Sequence, residues 1–214
     1  MGRGSIRWDA VPRGAALATS SLRRKAQALH ARPDLRVFDI RGNVDTRLAK
    51  LDASDWYGIL LATAGLLRLG LGGRIGERMP AAVMLPAPGQ GALAVTARSG
   101  DARAIAAARS AVHHQPSALA VSAERAFLRH MEGGCQVPVA ALATPGERGR
   151  LRLDGRVIAL DGSRMSEGRE EAVVGDIAEA ERLGSTLAER LLAEGAGEIL
   201  AEVRGGAAPA VPEP

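Results

Sequence analysis

A chain of 214 residues, 46% hydrophobic and 24% charged, has the composition of a folded globular protein of one large or two small domains, which excludes global disorder. Its 28 basic and 24 acidic residues leave a charge of +4, and only Lys25 and Lys50 are lysines, so a bias toward arginine forks suited to anions stands beside the alternative of a GC-rich genome. Two Trp, two Phe and one Tyr give no stacking platform for single-stranded nucleic acid, and neither a signal-peptide core nor a membrane-length apolar run is present, so the expected setting is the cytoplasm, off membranes and nucleic acid.

In chain order, Val11-Pro12-Arg13-Gly14 is a turn ahead of Ala15-Ala16-Leu17-Ala18, a short buried strand. Thr19-Ser20-Ser21 then forms a cap cluster for a helix beginning Leu22-Arg23-Arg24-Lys25. Strand, hydroxyl turn and helix start in that order aim free backbone N–H groups and the helix dipole at one spot, an anion site that two arginines reinforce. Arg23 and Arg24 also fit a solvated helix face. Arg32-Pro33-Asp34 stops the helix, Leu35 to Ile40 alternates as a strand, and Arg41-Gly42-Asn43-Val44-Asp45-Thr46-Arg47 opens a second helix through a glycine turn. Residues 58–62 are a third buried strand and 63–68 a third helix. Strands alternating with helices predict βαβ units, a parallel sheet and a ligand at the carboxyl ends of its strands.

Gly70-Leu71-Gly72-Gly73-Arg74-Ile75-Gly76 resembles a dinucleotide loop only superficially, because it follows a helix and its third glycine is one residue late. Pro86 to Gly91 is a rigid connector before an expected strand, Ala92 to Thr96, and the domain boundary is expected near residues 98–101. Beyond it come helices over 101–111 and 117–131, strands over 137–143, 150–160 and near 170–174, and an amphipathic helix over 177–194 capped by Gly195-Ala196-Gly197. His113 and His114, being adjacent, point to different sides of any regular element and make a poor metal pair. The fold class expected is α/β: a doubly wound βαβ lobe of periplasmic-binding-protein type, then a small α+β domain with a three-stranded antiparallel sheet. The predicted divisions are 1–100, 101–204 and a disordered tail, 205–214.

The single cysteine, Cys135, follows Glu132-Gly133-Gly134. One thiol makes neither an internal disulfide nor a thiolate metal cage, and no base stands near it in sequence. Either it anchors something covalent, with two glycines letting a bulky group lie against the backbone, or it is a small buried hydrophobe.

Taken together, Thr19-Ser20-Ser21-Leu22-Arg23-Arg24, Arg32-Pro33-Asp34-Leu35, Arg41 to Arg47, Leu85 to Gly91, and Glu124-Arg125-Ala126 through Glu132-Gly133-Gly134-Cys135-Gln136-Val137-Pro138 resemble the porphobilinogen deaminase family in order and spacing. The resemblance implies a transferase of tetrapyrrole biosynthesis that joins porphobilinogen units head to tail, releasing ammonia, into hydroxymethylbilane. It implies a dipyrromethane cofactor bound by thioether to Cys135, with Ser21, Arg23, Arg24, Arg41 and Gly42 holding that cofactor and Arg47 and Arg68 holding substrate carboxylates. A monomer without metal is expected. It further implies a first lobe ahead of this chain, carrying the catalytic aspartate, which no segment here matches; a non-catalytic anion-binding remnant is the alternative. Ala18 where the family usually has glycine, and Trp56-Tyr57-Gly58 in place of Tyr-Asp-Ala, depart from the pattern without removing a ligand.

Overall fold

The computed structural model describes residues 7–131 and 137–205. Strands β1 (Ala16–Ala18), β2 (Arg36–Phe38) and β3 (Gly58–Ile59) form a parallel sheet in the order β2-β1-β3. Ala16 lies opposite Arg36 and Leu17 opposite Gly58, which puts β1 at the centre. Helix α1 (Leu22–Ala31) links β1 to β2, α2 (Val44–Ala53) carries the chain back across β1 to β3, and α3 (Thr63–Arg68) follows. Because the two crossovers run in opposite directions and crossovers of this kind are right-handed, α1 and α2 cover opposite faces, which is the doubly wound arrangement. Ala18 and Ile59 accordingly meet Leu48 and Leu51 of α2 and Leu66 of α3, whereas Leu17 turns the other way toward Val11 and Leu35.

Capping follows the residues. Ser21 Oγ accepts from Arg24 N at 3.4 Å, and Asn43 Oδ1 accepts from Thr46 N at 2.8 Å. Gly42 has φ +124°, and a Cβ there would stand 2.8 Å from the Thr46 methyl, so only glycine makes this turn.

Residues 75–101 form turns and irregular chain. The strand expected at Ala92 to Thr96 is absent: neither sheet takes it in, and Leu93 is 97% exposed. Alternating apolar residues become a strand only where a neighbouring edge offers N–H and C=O groups, and none of the described strands does so here.

The second unit is an antiparallel sheet, β4 (Val139–Pro145), β5 (Arg150–Ile158) and β6 (Met165–Val173), packed under α5 (Gln115–His130) and α6 (Ile177–Leu191). Helix α4 (Ala102–Val112) precedes them. The third strand is longer than the segment expected near 170–174, because alternating Glu and Arg hide a half-buried strand behind a charged face. Helix α6 stops at Leu191 instead of 194. A π turn over Leu192–Ala196 intervenes, with Gly195 at φ +103°, before α7 (Gly197–Gly205). Glycine also sets the helix crossing, since a Cβ on Gly184 would fall 2.2 Å from Ala123 O. Fully buried Phe127, Leu187 and Leu191 form the centre of this core, each worth about 1.5–3 kcal/mol of burial.

Candidate functional site

In a sheet ordered β2-β1-β3, the connections leave β1 and β3 toward opposite faces and open a crevice at their carboxyl ends, where open α/β folds bind ligands. A cavity of about 370 Å³ lies there. Leu60, Leu61 and Thr63 after β3, Arg23 and Arg24 of α1, and Gln90 of the connector are among its lining residues.

Arg23 is 8% exposed, yet no carboxylate pairs with it among the described residues. Its Nη1 donates to Leu85 O at 2.6 Å and its Nη2 to Gln90 Oε1 at 3.4 Å. Burial first, and the neighbouring Arg24 charge second, push its pKa down to about 10. Arg24 donates from Nη1 to Leu60 O at 3.1 Å; its pKa is lowered as well, by burial and then by the Arg47 charge. Arg47 donates from Nε to Gly42 O at 2.8 Å. Three guanidiniums therefore repel one another in sequence, held only by neutral oxygens. Such an arrangement costs free energy until an anion enters.

The other expected residues stand apart from the cavity wall. Ser21 is occupied as the cap of α1, with its own N–H on Thr19 Oγ1 at 3.2 Å. Arg41 is exposed and paired with Asp39 at 3.2 Å, beside Gly42 on the turn into α2. Arg68 ends α3 on the exposed surface and does not line the cavity. Cys135 lies outside the described residues. His113 and His114 bond Gln115 Oε1 and Ser117 Oγ, both at 2.9 Å, at the start of α5, and no metal-ligating cluster occurs among the described residues.

Several polar groups that sequence reasoning missed tie the connector to both sheets. Glu124, buried on α5, accepts from Gly89 N at 2.6 Å and Ala143 N at 2.8 Å. Burial raises its pKa, opposed by those two amides. Ala141 N donates to Pro86 O at 3.2 Å, and Gln27 and Arg156 reach the same segment from α1 and β5. Glu124 stood in the Glu124-Arg125-Ala126 motif without a role assigned to it; the further signal was a polar residue at an apolar position, Gln27 on the inner face of α1 and Glu124 within an alanine-rich stripe.

Two family models divide the chain between them. Residues 3–106 match "Porphobilinogen deaminase, dipyromethane cofactor binding domain", and residues 118–193 match "Porphobilinogen deaminase, C-terminal domain". The chain belongs to the porphobilinogen deaminase family. Its relatives include the porphobilinogen deaminases of Desulforudis audaxviator, 51% identical over 96% of this chain and 65% of the relative, and of Thermus thermophilus, 50% identical over 95% and 66%. That of Moorella thermoacetica is 52% identical over 91% of this chain and 60% of the relative. The chain thus spans slightly less than two thirds of the length of these porphobilinogen deaminases. The cofactor-domain match contains every expected arginine and all of the cavity lining except Leu142, which lies with Cys135 in the C-terminal match.

Proposed function

We propose that this chain binds dipyrromethane and the carboxylates of porphobilinogen, and serves the transferase reaction that polymerises porphobilinogen head to tail, with loss of ammonia, into hydroxymethylbilane. The row Arg23, Arg24 and Arg47 carries this assignment, because its charges lack carboxylate partners among the described residues and two of them border the cavity. The residues fit a polycarboxylate. Charge-assisted contacts are worth about 1.5–3 kcal/mol each, and a bound carboxylate would also relieve the repulsion between neighbouring guanidiniums.

Dipyrromethane, when bound, supplies a covalently held pair of pyrroles with a free α-carbon at which a chain can be extended. Cys135 is assigned its thioether. Ser21, Arg23, Arg24, Arg41 and Gly42 are assigned its carboxylates, with Gly42 keeping the backbone open beside them, and Arg47 and Arg68 those of incoming substrate. Among the residues lining the cavity, Glu77 is the one carboxylate, and it already accepts from Trp8 N. Proton transfer is therefore not assigned to it. Among the described residues no helix is long and apolar enough to cross a membrane, and we place the protein in the cytoplasm as a monomer.

Intact mass after incubation with porphobilinogen tests the assignment: wild type gains two pyrrole units and Cys135→Ser gains none. An unmodified thiol in the wild type overturns self-priming by this chain. Release of tetrapyrrole, followed by absorbance after oxidation, separates catalysis from non-catalytic anion binding.

A further inference from the structure

Gln27 and Arg156 have no part in that assignment, yet both are buried polar groups joined to it through one carbonyl. Gln27, 1% exposed, sits one helical turn beyond Arg23 on α1. Its amide mates with the main chain of Leu85 as a neighbouring strand would: Oε1 accepts from Leu85 N at 2.8 Å and Nε2 donates to Leu85 O at 3.1 Å. Nε2 also donates to Arg23 O at 3.3 Å, and Oε1 accepts from Arg156 Nη1 at 3.2 Å. With two donors facing Oε1 and two carbonyls facing Nε2, only one orientation of the amide satisfies its surroundings.

The carbonyl so fixed, Leu85 O, is the one that receives Arg23 Nη1 at 2.6 Å. Arg23 is pressed by the Arg24 charge, so a weakened acceptor leaves little to keep its guanidinium in the cavity wall. Arg156 comes from β5 of the other sheet. It also donates to Ala82 O at 3.0 Å and Val83 O at 3.4 Å, and its Nε pairs with Glu167 Oε2 at 2.9 Å. One cation of the antiparallel sheet thus holds both the side chain and the connector that aim the Leu85 carbonyl.

We infer that Gln27 is a positioning residue for Arg23 and that Arg156 extends this control across the junction, so that docking of the antiparallel sheet sets where the Arg23 guanidinium stands. The inference deepens the proposed function and rests on Arg23 being a carboxylate ligand. A buried amide satisfied on four sides has no second arrangement of similar energy, which makes the relay rigid.

The test uses the whole chain with 15N-labelled arginine. It follows the Arg23 Nε–H resonance, identified by its loss in Arg23→Met, and measures binding of glutarate, a dicarboxylate that cannot react with the thiol. Gln27→Met and Arg156→Met are each expected to shift the Arg23 resonance and to weaken glutarate binding about tenfold. Arg156→Lys, which can still donate to Gln27 Oε1, is expected to restore most of both. An Arg23 resonance at its wild-type position in Arg156→Met overturns the inference, since that variant removes no contact with Arg23 itself. Should Gln27→Met fail to fold, the two Arg156 variants decide alone. If the resonance shifts while Arg23→Met binds glutarate as well as wild type does, the positioning stands and the carboxylate role of Arg23 falls.

Discussion

The two sheets use arginine in opposite ways. On the antiparallel sheet, Arg150 pairs with Glu171, Arg156 with Glu167, and Arg152 and Arg169 both pair with Asp154; α6 adds Arg190 with Glu170 and Glu194. At the crevice of the parallel sheet, Arg23, Arg24 and Arg47 face neutral oxygens and one another. Asp154 raises the pKa of Arg169, whereas burial and like charge lower those of Arg23 and Arg24. Arginine abundance alone therefore says little about anions. A deficit of local counter-charge does, because a sheltered cation without an acid is stable only if folding supplies the free energy that a ligand later returns.

The contrast can be broken most forcefully at the core that supports the paired set. Phe127 is fully buried against Gly155, where a Cβ would lie 2.7 Å from its ring. Phe127→Ala is expected to cost about 3–5 kcal/mol in denaturant unfolding. A loss below about 1 kcal/mol would mean that apolar packing is not what holds the second unit together.

Next in size is the exchange of the two kinds of arginine. Arg24→Leu is expected to weaken glutarate binding roughly 10- to 150-fold without lowering the thermal midpoint, since it removes repulsion and a desolvated charge. Arg169→Leu, an exposed paired residue, is expected to change binding by less than about twofold. Equal effects from the two variants would erase the distinction.

The smallest effect is a pH dependence. The folded-state pKa of Arg23, about 10, lies well below that of an ordinary guanidinium, so between the two the unfolded chain holds more protons and the cost of burying the charge is relieved as pH rises. Binding runs the other way: glutarate affinity should be level from about pH 7 to 9, then fall by at most about tenfold per unit above pH 10 as the cation is lost. Affinity that holds steady well past that point would show Arg23 to be an ordinary guanidinium.

Much of this was legible residue by residue. The boundaries of α3, a cap for α1 within Thr19-Ser20-Ser21, the glycine turn into α2, and the parallel lobe followed by an antiparallel sheet match what periodicity, capping residues and turn glycines predict, whereas the Asn43 cap of α2 came from the structure. The extent of β6 was less legible, because alternating charges resemble a solvated loop until a partner strand is seen. Ala92 to Thr96 misled for the converse reason: a strand pattern is a demand for a partner and does not supply one. At the site, Arg23 and Arg24 were found from their place at a helix start, but Gln27, Glu124 and Arg156 were not, because a buried polar side chain has no periodic signature.

The sequence by itself determined the family, through Thr19 to Arg24, the glycine turn at Gly42 and the motif holding Cys135, since each needs particular atoms at fixed local spacing. Only the tertiary structure decided which of the arginines are held without a counter-charge and which groups hold them. How an arginine is held depends on contacts such as Arg156 to the neutral amide of Gln27, 129 residues apart, which arise when two sheets and a connector pack together.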